Sequence, residues 1–144
     1  MSYAASADLI ARYPNRDLVQ LTNDDPTAIS INTAALDQAL DDASAEIDGY
    51  LEGRFNLPLA DPPAVLSRIA CDIAMYRLQA LRPLHDLADA RKRYDDAAAF
   101  LMAVAKGAIT LGLAPDNREP ASAPGAANIE GPRRVFGRKS LRGF

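Results

Sequence analysis

The sequence holds one cysteine (Cys71), one histidine (His85) and no tryptophan, and its aromatic content is only 6%. One thiol cannot form an internal disulfide, and one imidazole cannot build a multi-histidine metal site, so zinc and thiol-redox chemistry have almost no ligands to draw on. No apolar run approaches the ~20 residues that span a bilayer. The opening MSYAASADLI lacks the basic start and long apolar middle of a secretory signal. A protein made in the cytoplasm is expected, with no membrane partner. No GxGxxG, GxxxxGK[ST], HExxH or GxSxG string occurs. No nucleophile signature surrounds His85, which is expected to serve a helix start or loop. No catalytic residue, no metal and no cofactor is therefore expected, and the chain reads as a non-enzyme.

What is present is alanine. It supplies 28 of the 70 apolar residues in a chain of 144. That bias favours helices that approach closely around a thin core, and a thin core gains from burial against a neighbouring chain. Charge is divided along the chain: residues 1–112 carry a net −6, whereas residues 113–144 carry +3. The second segment is rich in Pro, Gly, Ala and Ser up to about Pro132 and lacks a periodic apolar face. Two regions follow, a helical body at 1–112 and an extended basic arm at 113–144.

Within the body, Ser6 is placed to cap a short helix through Arg12, with Leu9, Ile10 and Tyr13 on one side and Pro14-Asn15 ending it. Between Arg16 and Ile31, apolar Leu18, Leu21, Ile29 and Ile31 alternate with polar residues around the turn-forming Asn23-Asp24-Asp25-Pro26, which predicts extended chain covering the bundle. Thr33 to Glu52 gives the clearest helical spacing: Leu36, Leu40, Ala43, Ile47 and Tyr50 or Leu51, with Asn32 as cap and Gly53 as terminator. Asp61-Pro62-Pro63 should open a second long helix, Asp capping and proline filling the first turn. Its apolar face is Leu66, Ile69, Ile73, Tyr76 and Ala80, and Pro83 closes it. The third starts at His85 or Asp86, turns Leu87, Ala90, Tyr94, Ala97, Leu101 and Val104 inward, and stops at Gly107. Short links favour antiparallel neighbours. The expected fold is all-α, a small antiparallel bundle of three main helices plus a short N-terminal one, with a short hairpin or extended piece at 108–113.

The paired carboxylates Asp24-Asp25, Asp41-Asp42 and Asp95-Asp96 invite an ion-binding reading. On a helix, however, neighbours point about 100° apart and cannot converge on one atom. Solvated or turn-forming roles are expected. Cys71, inside a helix, should be a small buried hydrophobe. The helix from Thr33 holds six acids and no base, and Asp37, Asp41, Asp48 and Glu52 fall along one stripe where like charges repel. Such a stripe is either a solvated outer face or a subunit interface that meets bases from another chain, and it also suits a channel face. The last twelve residues, RRVFGRKSLRGF, hold Arg133, Arg134, Arg138, Lys139 and Arg142 with no acid, interleaved with Val135, Phe136, Leu141 and Phe144. Five phosphate contacts would give a salt slope of about −4.5 on duplex DNA. Interleaved apolar residues add little to phosphate binding but do add burial at a protein groove, which favours docking on protein.

The string Ala39-Leu40-Asp41-Asp42-Ala43-Ser44-Ala45-Glu46-Ile47-Asp48-Gly49-Tyr50-Leu51, followed by Gly53-Arg54-Phe55 and Leu57-Pro58-Leu59, resembles the small head-to-tail connector proteins of phage Mu type. So do Tyr3…Asp8-Leu9…Arg12-Tyr13, Pro62-Pro63, Ile73-Ala74-Met75-Tyr76-Arg77-Leu78, Arg93-Tyr94-Asp95-Asp96-Ala97, Ala105-Lys106-Gly107 and Leu111, in the family's order across residues 3–113, with the arm outside the resemblance. The resemblance implies a structural virion protein, the neck adaptor of a tailed phage or Mu-like prophage. In that role it forms a homo-oligomeric ring, twelve-fold to match the portal protein above it. A tail or stopper protein lies below, and genomic DNA passes without sequence-specific contact. The arm would dock on the portal or a neighbouring subunit. The reading from another class is a DNA-binding accessory protein that uses the basic tail.

Overall fold

The computed structural model describes residues 2–82 and 87–113, and every described element is helical. They are α1 (Ser6–Arg12), α2 (Asn15–Thr22), α3 (Thr33–Leu51), α4 (Ala64–Leu81) and α5 (Leu87–Ala105). The all-α expectation holds. The central helix is α4, packed against both α3 and α5, while α1 and α2 lie across α3 and α4. Leu66, Ile69, Ala70, Cys71, Ile73 and Ala74 of α4 are fully buried because neighbours press on it from several sides. Its partners run antiparallel to it: Leu78 and Leu81 at the end of α4 lie beside Asn32 and Ala35 at the start of α3, and Tyr76 and Gln79 lie beside Asp89 and Ala90 at the start of α5.

α3 begins as its spacing predicts. The Asn32 side chain accepts from the Ala35 N–H at 3.4 Å, satisfying one of the first-turn donors. Leu36, Leu40, Ala43, Ile47 and Leu51 point into the core. At the far end, Leu51 O accepts from the N–H groups of Arg54 and Phe55, both at 2.9 Å, and Gly53 keeps a negative φ, so the chain turns without a left-handed glycine. α5 ends differently. Gly107 adopts φ +81°, its N–H donates to Val104 O at 3.0 Å, and Ala108 N–H donates to Ala103 O at 2.9 Å. This is the left-handed C-cap that glycine permits.

Several expectations need correction. Residues 15–22 are helix, not extended cover. Leu18, Leu21 and Thr22 follow a three-and-four helical spacing and are buried, and the apparent alternation arose from reading across the turn at Asn23–Pro26. Ile29, counted among the covering residues, is 94% exposed. α4 starts at Ala64 with Pro63 as N-cap rather than Asp61. A residue that precedes proline is pushed out of the helical region, so Pro62, standing before Pro63, cannot be a first helical residue. α1 is preceded by Ala5 as N-cap, not Ser6, and it is the Asp8 carboxylate that accepts the Ala5 N–H at 2.8 Å. Of the two forms expected for residues 108–113 the hairpin is absent, with no strand among the described residues: the segment is bends and irregular chain whose Ile109, Leu111 and Leu113 pack on the core. Ala80, expected inward, is exposed, and Ile10 is 42% exposed. Cys71 is a buried free thiol, as expected. Pro83, His85 and Asp86 lie outside the described residues.

Candidate interaction surfaces

α3 segregates its charge. Its exposed residues are Thr33, Ala34, Asp37, Gln38, Asp41, Asp42, Ala45 and Gly49, joined at its end by Glu52; all are acidic, small or uncharged. Of the four acids read as a stripe, Asp37, Asp41 and Glu52 are exposed, while Asp48 is half-buried and its Oδ1 accepts a hydrogen bond from the Tyr3 hydroxyl. Burial first, and then this bond to a carboxylate, push the Tyr3 phenol well above its usual range. Tyr3 N–H also donates to Ser44 Oγ at 3.2 Å, so the N-terminus is pinned to one flank of α3. The arm residues Arg133, Arg134, Val135, Phe136, Arg138, Lys139, Leu141, Arg142 and Phe144 lie outside the described residues.

The carboxylate pairs diverge as helix and turn geometry require. Asp24 pairs with Arg82, while Asp25 accepts from Thr27 N–H at 2.8 Å and Thr27 Oγ1 at 2.6 Å, bonds that hold its carboxyl below the usual range. Asp42 accepts from Gln38 Nε2 at 3.1 Å, and Asp95 lies 3.5 Å from Arg91. Among the described residues no group of three or more His, Cys, Asp or Glu is placed to hold a metal ion, and no helix is long and apolar enough to cross a membrane.

Sequence reasoning missed a polar seam that crosses the bundle. Glu46 of α3 accepts from Arg77 Nη2 at 2.6 Å through one oxygen and from the Tyr94 hydroxyl at 2.8 Å through the other, so one carboxylate ties α3 to both α4 and α5. Tyr94 stacks on Tyr76 with ring centroids 4.6 Å apart and planes 25° from parallel. The Glu46 hydrogen bond, aided by burial, lifts the Tyr94 phenol to about 12. The available signal was Glu46 itself, an acid set off the stripe of Asp37, Asp41, Asp48 and Glu52, but its partners stand 31 and 48 residues away. A second seam joins α1 to α4: Tyr13 OH donates to Asp72 Oδ1 at 3.1 Å, and Arg68 lies 3.0 Å from the other oxygen.

Two grooves flank α4. One, of about 300 Å³, lies between α1, α4 and α5, lined by Tyr13, Met75, Tyr76 and Arg93 among others, and Arg12 and Arg68 stand where it opens outward. The other, of about 290 Å³, lies between α2, α3 and α4. Leu21, Ala35, Ala39 and Leu78 form its floor, Leu81 its 80% exposed lip, and Asp24, Asp42, Arg77 and Arg82 its rim.

These features define a small all-α bundle whose outer surfaces are sorted by charge. The sequence model for "Bacteriophage Mu, Gp36" matches residues 3–130. The chain is 43% identical over 142 residues to the Mu-like prophage FluMu protein gp36 of Haemophilus influenzae, covering 99% of this chain and 97% of that protein. It is 36% identical over 146 residues to Gene product J of Escherichia phage Mu, covering 100% of this chain and 99% of that protein. The chain therefore belongs to the phage Mu Gp36 family. Both alignments run across the C-terminal segment, so the kinship extends beyond residue 113, where the resemblance read from the sequence stopped.

Proposed function

We propose that the chain is a structural, non-enzymatic phage protein, the head-to-tail adaptor of the neck. In this reading copies form a ring beneath the portal protein, twelve-fold to match it, and a tail or stopper protein binds below. Membership of the phage Mu family supports the phage role. The observation that carries the adaptor reading is the charge segregation: α3 turns no base outward, while the chain ends in five bases without an acid. An acidic wall suits a channel through which DNA passes without sticking, since it repels phosphate. A basic, aromatic-bearing end suits docking on protein, where arginines pair with carboxylates and aromatic rings supply buried anchors. The arm docks on the portal or on a neighbouring subunit.

Deleting residues 133–144 tests this against nucleic-acid binding. Incorporation into portal-containing particles should fall sharply, while DNA affinity of the intact chain should be weak and unchanged by the deletion. Intact incorporation together with lost, salt-dependent DNA binding would instead mark an accessory DNA-binding protein.

A further inference from the structure

The groove between α2, α3 and α4 has the chemistry of a receiving site. Its floor is apolar and already folded, and Leu81 at the lip leaves 80% of its surface in water, an unusual position for a leucine at the end of a core helix. The two bases on its rim are engaged, Arg77 with Glu46 and Arg82 with Asp24. Asp42 on the rim accepts from the uncharged Gln38, and exposed Asp41 adjoins it on α3, so with both rim bases engaged the excess charge is acidic. In the groove on the opposite side of α4, Arg12, Arg68 and Arg93 are matched by Asp72, Asp89 and Asp96, so neither sign prevails there.

We infer that the α2–α3–α4 groove receives the basic, aromatic-bearing segment 133–144 of a neighbouring copy of this chain. Phe136 or Phe144 would enter over Leu78 and Leu81, and the flanking arginines would meet Asp42 and its acidic neighbours. The inference rests on the ring reading and narrows it by choosing the neighbouring subunit as the arm's dock. The choice of a neighbour follows from the ring reading, and the arm is long enough for it. α5 ends at the end of the bundle where Arg54 meets Val104, whereas the groove lies at the opposite end of α3, beside Asn32 and Ala35. A 19-residue helix is about 28 Å long, so the arm of the same copy would have to double back along the whole body. The residues between 113 and 133 span up to about 65 Å when extended, more than twice the length of the body, so the arm is not confined to its own copy.

The test uses the full chain carrying Phe136→p-benzoylphenylalanine. Isotopically light and heavy copies are mixed, irradiated, and the cross-linked peptides mapped by mass spectrometry. Light-to-heavy cross-links should land on Leu78, Leu81 or the neighbouring part of α2. Leu81→Glu and Asp42→Lys, both at exposed positions, should each reduce them about tenfold while the helical circular dichroism is retained. Cross-links confined to one copy, cross-links to the Tyr13–Met75 groove, or no inter-copy product at all would overturn the inference. Incorporation into portal-containing particles, read in parallel, separates the two readings. An arm that cross-links only to portal defeats this inference and leaves the adaptor role standing. Inter-copy docking by a chain that never enters particles does the reverse.

Discussion

Arg54 fills the space beside Gly107 that a side chain there would need. From the turn after α3, Arg54 Nη1 donates to the Val104 carbonyl at 3.2 Å in the last turn of α5, and its guanidinium lies where a side chain on residue 107 would stand. Gly107 is thus constrained twice, by φ +81° and by the arginine.

Gly107→Ala should cost about 1–2 kcal/mol for the left-handed conformation alone. The added methyl also drives the guanidinium off Val104, forfeiting a charge-assisted hydrogen bond worth about 1.5 kcal/mol. Arg54→Ala loses that bond directly. Because the methyl no longer meets an obstacle once Arg54 is gone, the double variant should be less destabilised than the sum of the singles, which urea unfolding of all four proteins would show.

Glu46→Ala should destabilise more than Arg77→Ala. Removing the carboxylate strips partners from both Arg77 and Tyr94, whereas removing the guanidinium leaves Glu46 its bond to Tyr94. With the Arg77 side chain 42% exposed, solvent screens the ion pair, so a loss of about 2 kcal/mol is expected for Glu46→Ala and about half that for Arg77→Ala. Equal losses in denaturant melts would mean that the Tyr94 bond contributes nothing.

How much of this was readable beforehand follows from the range of the interactions. α3 was legible to its cap because Asn32 and the Leu36–Ile47 spacing are local signals. The inward face of α5 and the burial of Cys71 were equally local. α2 was missed because eight residues give barely two turns of pattern, and Ile29 and Ile31 beyond the turn imitated a strand. Pro63 as the start of α4 was accessible in principle, since the rule for a residue before proline needs only the two adjacent letters. The Glu46 seam, the Tyr13–Asp72 bond and the Arg54 contact were hidden for another reason. They join residues 31 to 59 positions apart, and only packing decides which polar groups on different helices meet.

Alkaline titration offers a test of the tyrosine seams. Burial first, and then Asp72, raise the Tyr13 phenol to about 12, and Tyr94 rises to about 12 through Glu46 and burial. Both phenols are neutral when protonated, and the folded state holds the proton more tightly than the unfolded chain, whose phenols ionise near 10.0. Their contribution to stability is therefore complete below pH 10 and declines as pH rises toward 12. Tyr13→Phe and Tyr94→Phe should each flatten that decline, followed by denaturant midpoints across the alkaline range alongside tyrosinate absorbance.

Burial pushes the Cys71 thiol up to about 11, with the thiol fully enclosed in α4. In the folded protein a disulfide reagent at neutral pH should react with it far more slowly than with a free thiol, and denaturant should release full reactivity. Rapid labelling of the native chain would contradict the packing of α4.

The turn at Gly107 also decides how the body would bear load. Ile109, Leu111 and Leu113 are packed on the core, and Arg54 fastens the last coil of α5 to the corner beyond α3. Tension applied to the chain past Leu113 is thereby shared between two parallel rods, which must slide before either can unravel, and the anchorage resists a tug along its axis better than a helix fixed at its tip alone.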